Sequence, residues 1–212
     1  MATARVQVGQ LHYDIRSLEN TQQYADPEGQ ADRVGISSAN WSLFGVVWPA
    51  SLVMAEEMSD FPIGGLRILE VGCGLGLAAL VLQRRGANVT ACDHHPLAGE
   101  FLRFNSDLNE LLPIPYFHAP WEGPNPDLGQ FDLIIGSDLL YERGHPELLA
   151  AFVKIHAKPT AQILLSDPGR GRCGQFGSRL ANQGYGKTER WIAFSSLELA
   201  PYSGRIMSFK RG

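Results

Sequence analysis

From residue 67 onward, short apolar runs alternate with amphipathic helical stretches, and this alternation restricts the fold more than any other feature of the chain. Residues 67–71, 88–92, 114–118, 131–136 and 161–165 have the length and composition of strands. Between and after them, residues 77–85, 96–112, 146–158 and 172–183 have helical spacing. The clearest helix is 96–112, where Leu97, Phe101, Phe104, Leu108 and Leu111 recur at steps of four, three, four and three and predict one buried stripe. In 146–158, Leu148, Leu149, Phe152 and Ile155 share a side. Repeated strand–helix units demand an α/β fold, a mostly parallel sheet with helices on both faces. Residues 188–194 and 204–209 then read as two strands with no helix between them, which predicts an antiparallel pair at one sheet edge.

Upstream, residues 6–15 alternate as a strand or small hairpin, and 19–40 is a polar loop containing Asp26-Pro27-Glu28-Gly29. Residues 48–58 read as a helix with Pro49 in its first turn and Leu52, Val53, Ala55 and Met58 as its apolar stripe. The expected division is an N-terminal extension, 1–47, followed by a sheet domain, 48–212. In such sheets ligands bind beyond the carboxyl ends of the strands. The segments to inspect are therefore 72–77, 93–95, 118–121, 137–141 and 167–172.

Composition excludes several classes. With 44% hydrophobic and 19% charged residues, the 212-residue chain is neither a disordered polyelectrolyte nor a charged rod. No apolar run approaches the ~18 residues of a membrane span, and the N-terminus reads as lacking a signal peptide's apolar core. Cys73, Cys92 and Cys173 are odd in number and widely spaced, unlike a disulfide framework or a zinc site, so a cytoplasmic setting and no metal are expected. The net charge of −4 conceals an asymmetry: residues 1–168 carry 10 basic and 20 acidic side chains, residues 169–212 carry 8 and 2. The basic end is either a surface that steers an acidic partner or a solvated face.

The strongest local signal is Glu70-Val71-Gly72-Cys73-Gly74-Leu75-Gly76. Alternate glycines let the backbone turn sharply and lie against a ligand, and the helix behind them directs free N–H groups at it. Asp93, at the end of the next strand, is placed to accept the hydroxyls of a ribose. Gly74-Leu75-Gly76-Leu77-Ala78-Ala79 also matches the G-x-G-x-x-A dinucleotide pattern, so a nicotinamide oxidoreductase stays open on the glycines alone. The plain alternative is a tight turn beside a solvated Asp93. Cys73 and Cys92 read as small buried hydrophobes, and His94-His95 as polar residues capping the helix that begins near Pro96.

The E-x-G-x-G-x-G form and the strand–strand ending resemble the class I S-adenosylmethionine methyltransferases, from about Trp41 to the C-terminus. The resemblance implies a Rossmann-like sheet of seven strands with S-adenosyl-L-methionine as cofactor. Glu70, Gly72, Gly74 and Gly76 would accommodate its methionine moiety, and Asp93 its ribose. Ser137-Asp138-Leu139-Leu140-Tyr141 is similar to the D-x-x-Y signature of the family 16 group, the protein-lysine methyltransferases and their nicotinamide N-methyltransferase-like relatives. Trp48-Pro49, Asn105 and Trp121 fit that group as well. By resemblance Trp48 and Trp121 wall the cofactor pocket, Trp121 near the adenine, with Ser137 beside it. The residue before that tryptophan is often acidic in the family, whereas here it is Pro120.

Methyl transfer to nitrogen follows as the expected activity, with a protein side chain such as lysine as acceptor. A small-molecule amine is the alternative, and a catalytically silent cofactor-fold binding protein a third reading. Folding of 19–40 over the site would favour a small substrate, an open groove a protein. Asp138 and Tyr141 are the candidate catalytic pair: one helical turn would set them on the same side, Asp138 orienting an amine and Tyr141 offering its ring or hydroxyl. Their plain reading is a helix N-cap and a packing residue. Asp167-Pro168-Gly169-Arg170 is not the N/D-P-P-Y signature of DNA amino-methyltransferases, which belongs after the fourth strand, so DNA is not an expected substrate. Arg170 and Arg172, among glycines, read as a mobile basic rim or a solvated loop.

Overall fold

A computed structural model describes residues 1–22, 25–123, 125–194 and 202–211. Residues 23–24 of the polar segment and 195–201 of the basic terminal stretch lie outside the described residues. The chain opens with an antiparallel hairpin, β1 (Ala2–Val8) and β2 (Leu11–Ser17), turning at Gly9, whose φ is +58°. A two-residue turn between twisted strands requires that left-handed backbone. Within the segment expected to be loop lies one short helix, α1 (Gln30–Arg33). It forms because the Asp26 carboxylate accepts from the Ala31 and Asp32 N–H groups at 3.0 and 2.9 Å. Next comes α2 (Pro49–Asp60), with proline in its first turn and Leu52, Val53, Ala55 and Met58 buried.

The repeating part then runs β3 (Arg67–Val71), α3 (Leu77–Arg84), β4 (Asn88–Asp93), α4 (Ala98–Leu108), β5 (Tyr116–His118), β6 (Phe131–Ser137), α5 (His145–His156), β7 (Ala157–Asp167), α6 (Cys173–Ala181), β8 (Gly186–Phe194) and β9 (Tyr202–Lys210). Seven of these strands form one sheet in the order β5-β4-β3-β6-β7-β9-β8. The pairs among β3 to β7 are parallel, and β9 runs antiparallel to both β7 and β8. The seven-stranded, mostly parallel sheet is thus present. Its final strand inserts inside the terminal pair and leaves β8 at the edge.

From β3 the chain steps outward to β5, then returns to β6 on the other flank of β3. That reversal opens a crevice at the carboxyl ends of β3 and β6. Side chains alternate across the sheet. Ile68, Leu133 and Ile135 face a core built with α2, α3, α4 and the hairpin, whereas Leu69, Val71 and Ile134 face α5 and α6. Val8, Tyr13, Ile15 and Leu18 belong to the first core, so the N-terminal segment shares its apolar interior with the sheet. Among the described residues no helix is long and apolar enough to cross a membrane.

The stripe expected on α4 is buried only in part, with Leu97 and Leu111 half-buried against the core. Phe101 is buried, but Phe104 and Leu108 are exposed, and the inner face is Ala98, Phe101, Leu102, Asn105 and Ser106. The cause is what docks there: the backbone of β2 rather than another apolar face. Asn105 Oδ1 accepts from the Arg16 N–H at 2.8 Å and its amide donates to Arg16 O at 3.3 Å. Asn109 repeats the pattern at Asp14, at 2.9 and 2.7 Å. Four helical residues rise about 6 Å and two strand residues about 6.6 Å, so the two amides stand in for a neighbouring strand. On α5, Ile155 is likewise exposed while Val153 and His156 turn inward.

Asn105 also donates to Leu75 O at 3.2 Å, linking the hairpin to the glycine-rich loop. Asn105→Ala leaves those buried backbone groups without partners and is expected to cost about 2–4 kcal/mol in urea unfolding. A loss below about 1 kcal/mol would contradict this role.

Candidate active site

The loop from β3 into α3 carries Gly72, Gly74 and Gly76 at φ values of +60°, +51° and +76°. The constraint is tightest at Gly74, where a Cβ would lie 2.7 Å from the carbonyl oxygen of Phe44, a backbone atom with no rotamer to yield. The Gly74 N–H donates to Asp93 Oδ2 at 2.8 Å, and the Cys73 N–H to Cys92 O at 3.1 Å. Glu70 lies behind the loop, buried, accepting from the Ala79 N–H in the first turn of α3 at 2.8 Å. Burial pushes its carboxyl up to about 8, the Ala79 bond opposes that, and the Asp93 charge adds to it.

Asp93 ends β4, with Oδ1 accepting from the His95 N–H at 2.7 Å. Desolvation raises its pKa, and the N–H groups of His95 and Gly74 pull it down. Each oxygen keeps a lone pair for a ligand hydroxyl. His95 Nδ1 accepts from the Leu97 N–H at 3.2 Å, just ahead of α4, as its capping reading requires. Its ring stacks on Phe44 at 3.7 Å, and burial lowers its pKa to about 4. Cys73 and Cys92 are free and buried, and burial raises both thiols.

A cleft of about 770 Å³ opens above these elements. Trp48, Gly72, Gly74, Gly76, Asp93, Trp121, Ser137, Asp138 and Tyr141 all line it, whereas Glu70 does not. Trp48, just ahead of α2, donates its indole N–H to Leu43 O at 2.8 Å. Trp121 meets the His145 ring edge-on at 5.0 Å.

Asp138 and Tyr141 reach the cleft without a helical turn. Residues 138–144 are not helical, and α5 begins only at His145, so Asp138 is no N-cap. Asp138 has φ +51°, a conformation that aspartate tolerates better than most residues, and its N–H donates to Ser166 O at 2.8 Å. Its two carboxylate oxygens accept from Arg170 Nε and Nη2 at 2.7 and 2.8 Å. Asp167 fixes the turn that carries Arg170, accepting at Oδ1 from the Gly169 N–H at 2.6 Å and the Cys173 thiol at 3.0 Å. Arg170 therefore lines the cleft in a fixed pair with Asp138, although its side chain stays partly exposed. Arg179, Lys187, Arg190 and Arg205 also pair with carboxylates, Lys187 and Arg205 sharing Glu189.

The sequence reading missed Phe44, Asn40, Glu142 and His145, all on the cleft wall. Asn40 donates its amide to Glu142, joining the N-terminal segment to the β6–α5 loop. Gly35, Ile36 and Ser37 line the half of the cleft near His94, whose Nε2 lies 3.0 Å from Val34 O. The other half stays open: Tyr141 is 38% exposed and the Arg170 side chain 44%.

Among the described lining residues, the carboxylates are Asp93, Glu122, Asp138 and Glu142, and the one guanidinium is Arg170, already paired. A pyrophosphate would meet carboxylates here with no free cation to hold it. A sulfonium ligand of net positive charge fits, and the volume and the glycine cradle suit a nucleoside-sized molecule.

The comparison with known families agrees with that chemistry: a methyltransferase-domain profile matches residues 50–201. The chain belongs to the methyltransferase-domain family. It is 32% identical over 135 residues to an electron transfer flavoprotein beta subunit lysine methyltransferase of Xenopus laevis, covering 61% of this chain and 52% of that protein. It is 35% identical over 142 residues to the protein N-lysine methyltransferase METTL21A of Danio rerio, covering 60% and 63%. The chain thus spans less than two thirds of these relatives' lengths. In fold it is similar to a magnesium protoporphyrin IX methyltransferase of Synechocystis solved with bound S-adenosylmethionine. The TM-score is 0.58 and the identity 17%, with 76% of this chain and 77% of the other covered.

Two outcomes are expected of this methyltransferase-domain site. Titration calorimetry with S-adenosylhomocysteine should show binding to the wild type and at least about tenfold weaker binding to Asp93→Ala, which loses a charged acceptor; equal affinities would contradict the assignment. Glu70 has a folded-state pKa of about 8 against an ordinary 4.5. Its contribution to stability is thus full below 4.5 and lost as pH rises through 8. Glu70→Gln should flatten the fall in Tm between those values, and an unchanged slope would contradict the buried protonated carboxyl.

Proposed function

We propose that this chain transfers a methyl group from S-adenosylmethionine to a side-chain nitrogen of a protein, with lysine as the acceptor. The observation that carries the reading is the meeting, in one electronegative cleft, of the Asp93–Gly74 cradle with Asp138 and Tyr141. The lysine methyltransferase names of the two relatives support the acceptor. Three free, buried cysteines suit a reducing, cytoplasmic setting.

The bound cofactor supplies an electrophilic methyl on a sulfonium; positioning falls to the chain. Gly72, Gly74 and Gly76 admit the methionine moiety, Asp93 accepts from the ribose hydroxyls, and Trp48 and Trp121 wall the pocket with Ser137 between them. Glu70 acts from behind, fixing α3 against the loop. Asp138 hydrogen-bonds the amine, and the Tyr141 ring receives it as an ammonium. A lysine amine has a reference pKa of about 10.4 and must be deprotonated before it can attack. Binding energy then goes into holding nitrogen, methyl carbon and sulfur in line.

One observation favours the small-molecule amine as a second reading: residues 35–37 and Asn40 close over part of the cleft. They line the half near His94 and leave the Tyr141–Arg170 half open, which suits a tethered side chain. Incubation of a cell extract with radiolabelled cofactor separates the two, with label expected in the protein fraction. Asp138→Ala and Tyr141→Phe should lower transfer by about 10- to 100-fold while S-adenosylhomocysteine affinity stays within about threefold. Label confined to small molecules, or equal loss of cofactor binding, would contradict the proposal.

A further inference from the structure

We propose that His145 accepts the proton that the substrate amine must shed before it attacks, a role that rests on the amine-methylating reading above. Asp138 is badly placed for this, because both of its oxygens are held in the Arg170 fork. Tyr141 cannot serve, since desolvation of its phenol, reinforced by Asp93, Glu142 and Asp138, raises its pKa and keeps it protonated. Asp93 is committed to the Gly74 and His95 N–H groups on the cofactor side.

His145 has the required geometry. Its Nδ1 lies 2.6 Å from the carbonyl oxygen of Leu139. A carbonyl can only accept, so Nδ1 carries a proton and Nε2 is the nitrogen free to take one. The ring is clamped edge-on between Tyr141, at 4.5 Å, and Trp121, at 5.0 Å, and lines the cleft with its side chain 14% exposed. The imidazole thus contacts the same ring that would receive the ammonium. Beyond it, Glu142 Oε2 stands 3.6 Å from Nε2, with a side chain 51% exposed and anchored by Asn40. That carboxylate leads from the ring to solvent.

Glu122, beside Trp121, and the Asp138–Arg170 pair line the same cleft, and Arg143 and Glu147 flank His145 in the chain. The balance is complete. One ammonium proton moves to Nε2, and the nitrogen lone pair forms the new bond to the methyl carbon. The carbon–sulfur bond breaks with its pair going to sulfur, and the imidazolium returns its proton to water past Glu142.

His145→Asn keeps an amide donor for Leu139 O but has no base. With labelled cofactor and the protein fraction of a cell extract as acceptor, its transfer at pH 7 should fall about 100-fold, with S-adenosylhomocysteine affinity within about threefold. Wild-type transfer should rise with pH less steeply than transfer by the variant. That of the variant should climb about tenfold per pH unit toward the pKa of the amine itself. Added imidazole should restore transfer to His145→Ala, which a purely structural residue would not allow. Independently of activity, nitrogen-15 spectra of the wild type should show the proton of the neutral ring on Nδ1. A proton on Nε2 instead, or a His145→Asn variant with the wild-type rate and pH profile, would overturn the proposal. A wild type that binds S-adenosylhomocysteine yet labels no protein would overturn the amine reading first, and this role with it.

Discussion

The cleft depends on one place where backbone meets backbone without a side chain between. Gly74 lies so close to the carbonyl of Phe44 that no Cβ fits, while its N–H is held by Asp93. Phe44 in turn stacks on His95, and the Asp93 carboxylate that holds Gly74 also accepts from the His95 N–H. Asn105 reaches the same loop at Leu75 and grips β2 with its other bonds, while Glu70 fixes α3 behind it. The N-terminal segment, the glycine loop and the start of α4 thus lock together through buried polar groups. Such groups stabilise only when each has its partner, so loss of any one is felt by the others.

The substrate half is built differently. The Asp138–Arg170 pair is partly exposed, and a pair of that kind contributes little to stability. Its worth is positional: it holds a carboxylate on a left-handed residue at the cleft. The rigid half suits a cofactor of fixed shape. An open half suits a side chain delivered by another protein.

The sheet was legible because buried parallel strands are near-continuous apolar runs and the turns between them carry glycine and proline. The cofactor half was legible for a related reason: Gly72, Gly74, Gly76 and Asp93 act through local backbone geometry, which leaves a pattern at fixed spacing. The α4 stripe misled because a strand's backbone, rather than apolar side chains, covers that helix, and Asn105 and Asn109 are the only trace of it in the sequence. Asp138 and Tyr141 were found by motif, although no helical turn joins them. Arg170 read as a loop cation because its partner lies 32 residues away. His145, Glu142, Asn40 and Phe44 come together only through tertiary contacts and carry no local signature.

The central claim is that the cleft methylates the nitrogen of a lysine side chain, and the chemical identity of the product tests it most directly. Protein labelled by the enzyme with methyl-tritiated S-adenosylmethionine can be hydrolysed in acid and its amino acids separated. The account predicts label co-eluting with Nε-methylated lysine and absent when Asp138 is replaced by alanine. Label in methylated arginine or in a base-labile ester, or no label in protein at all, would contradict it.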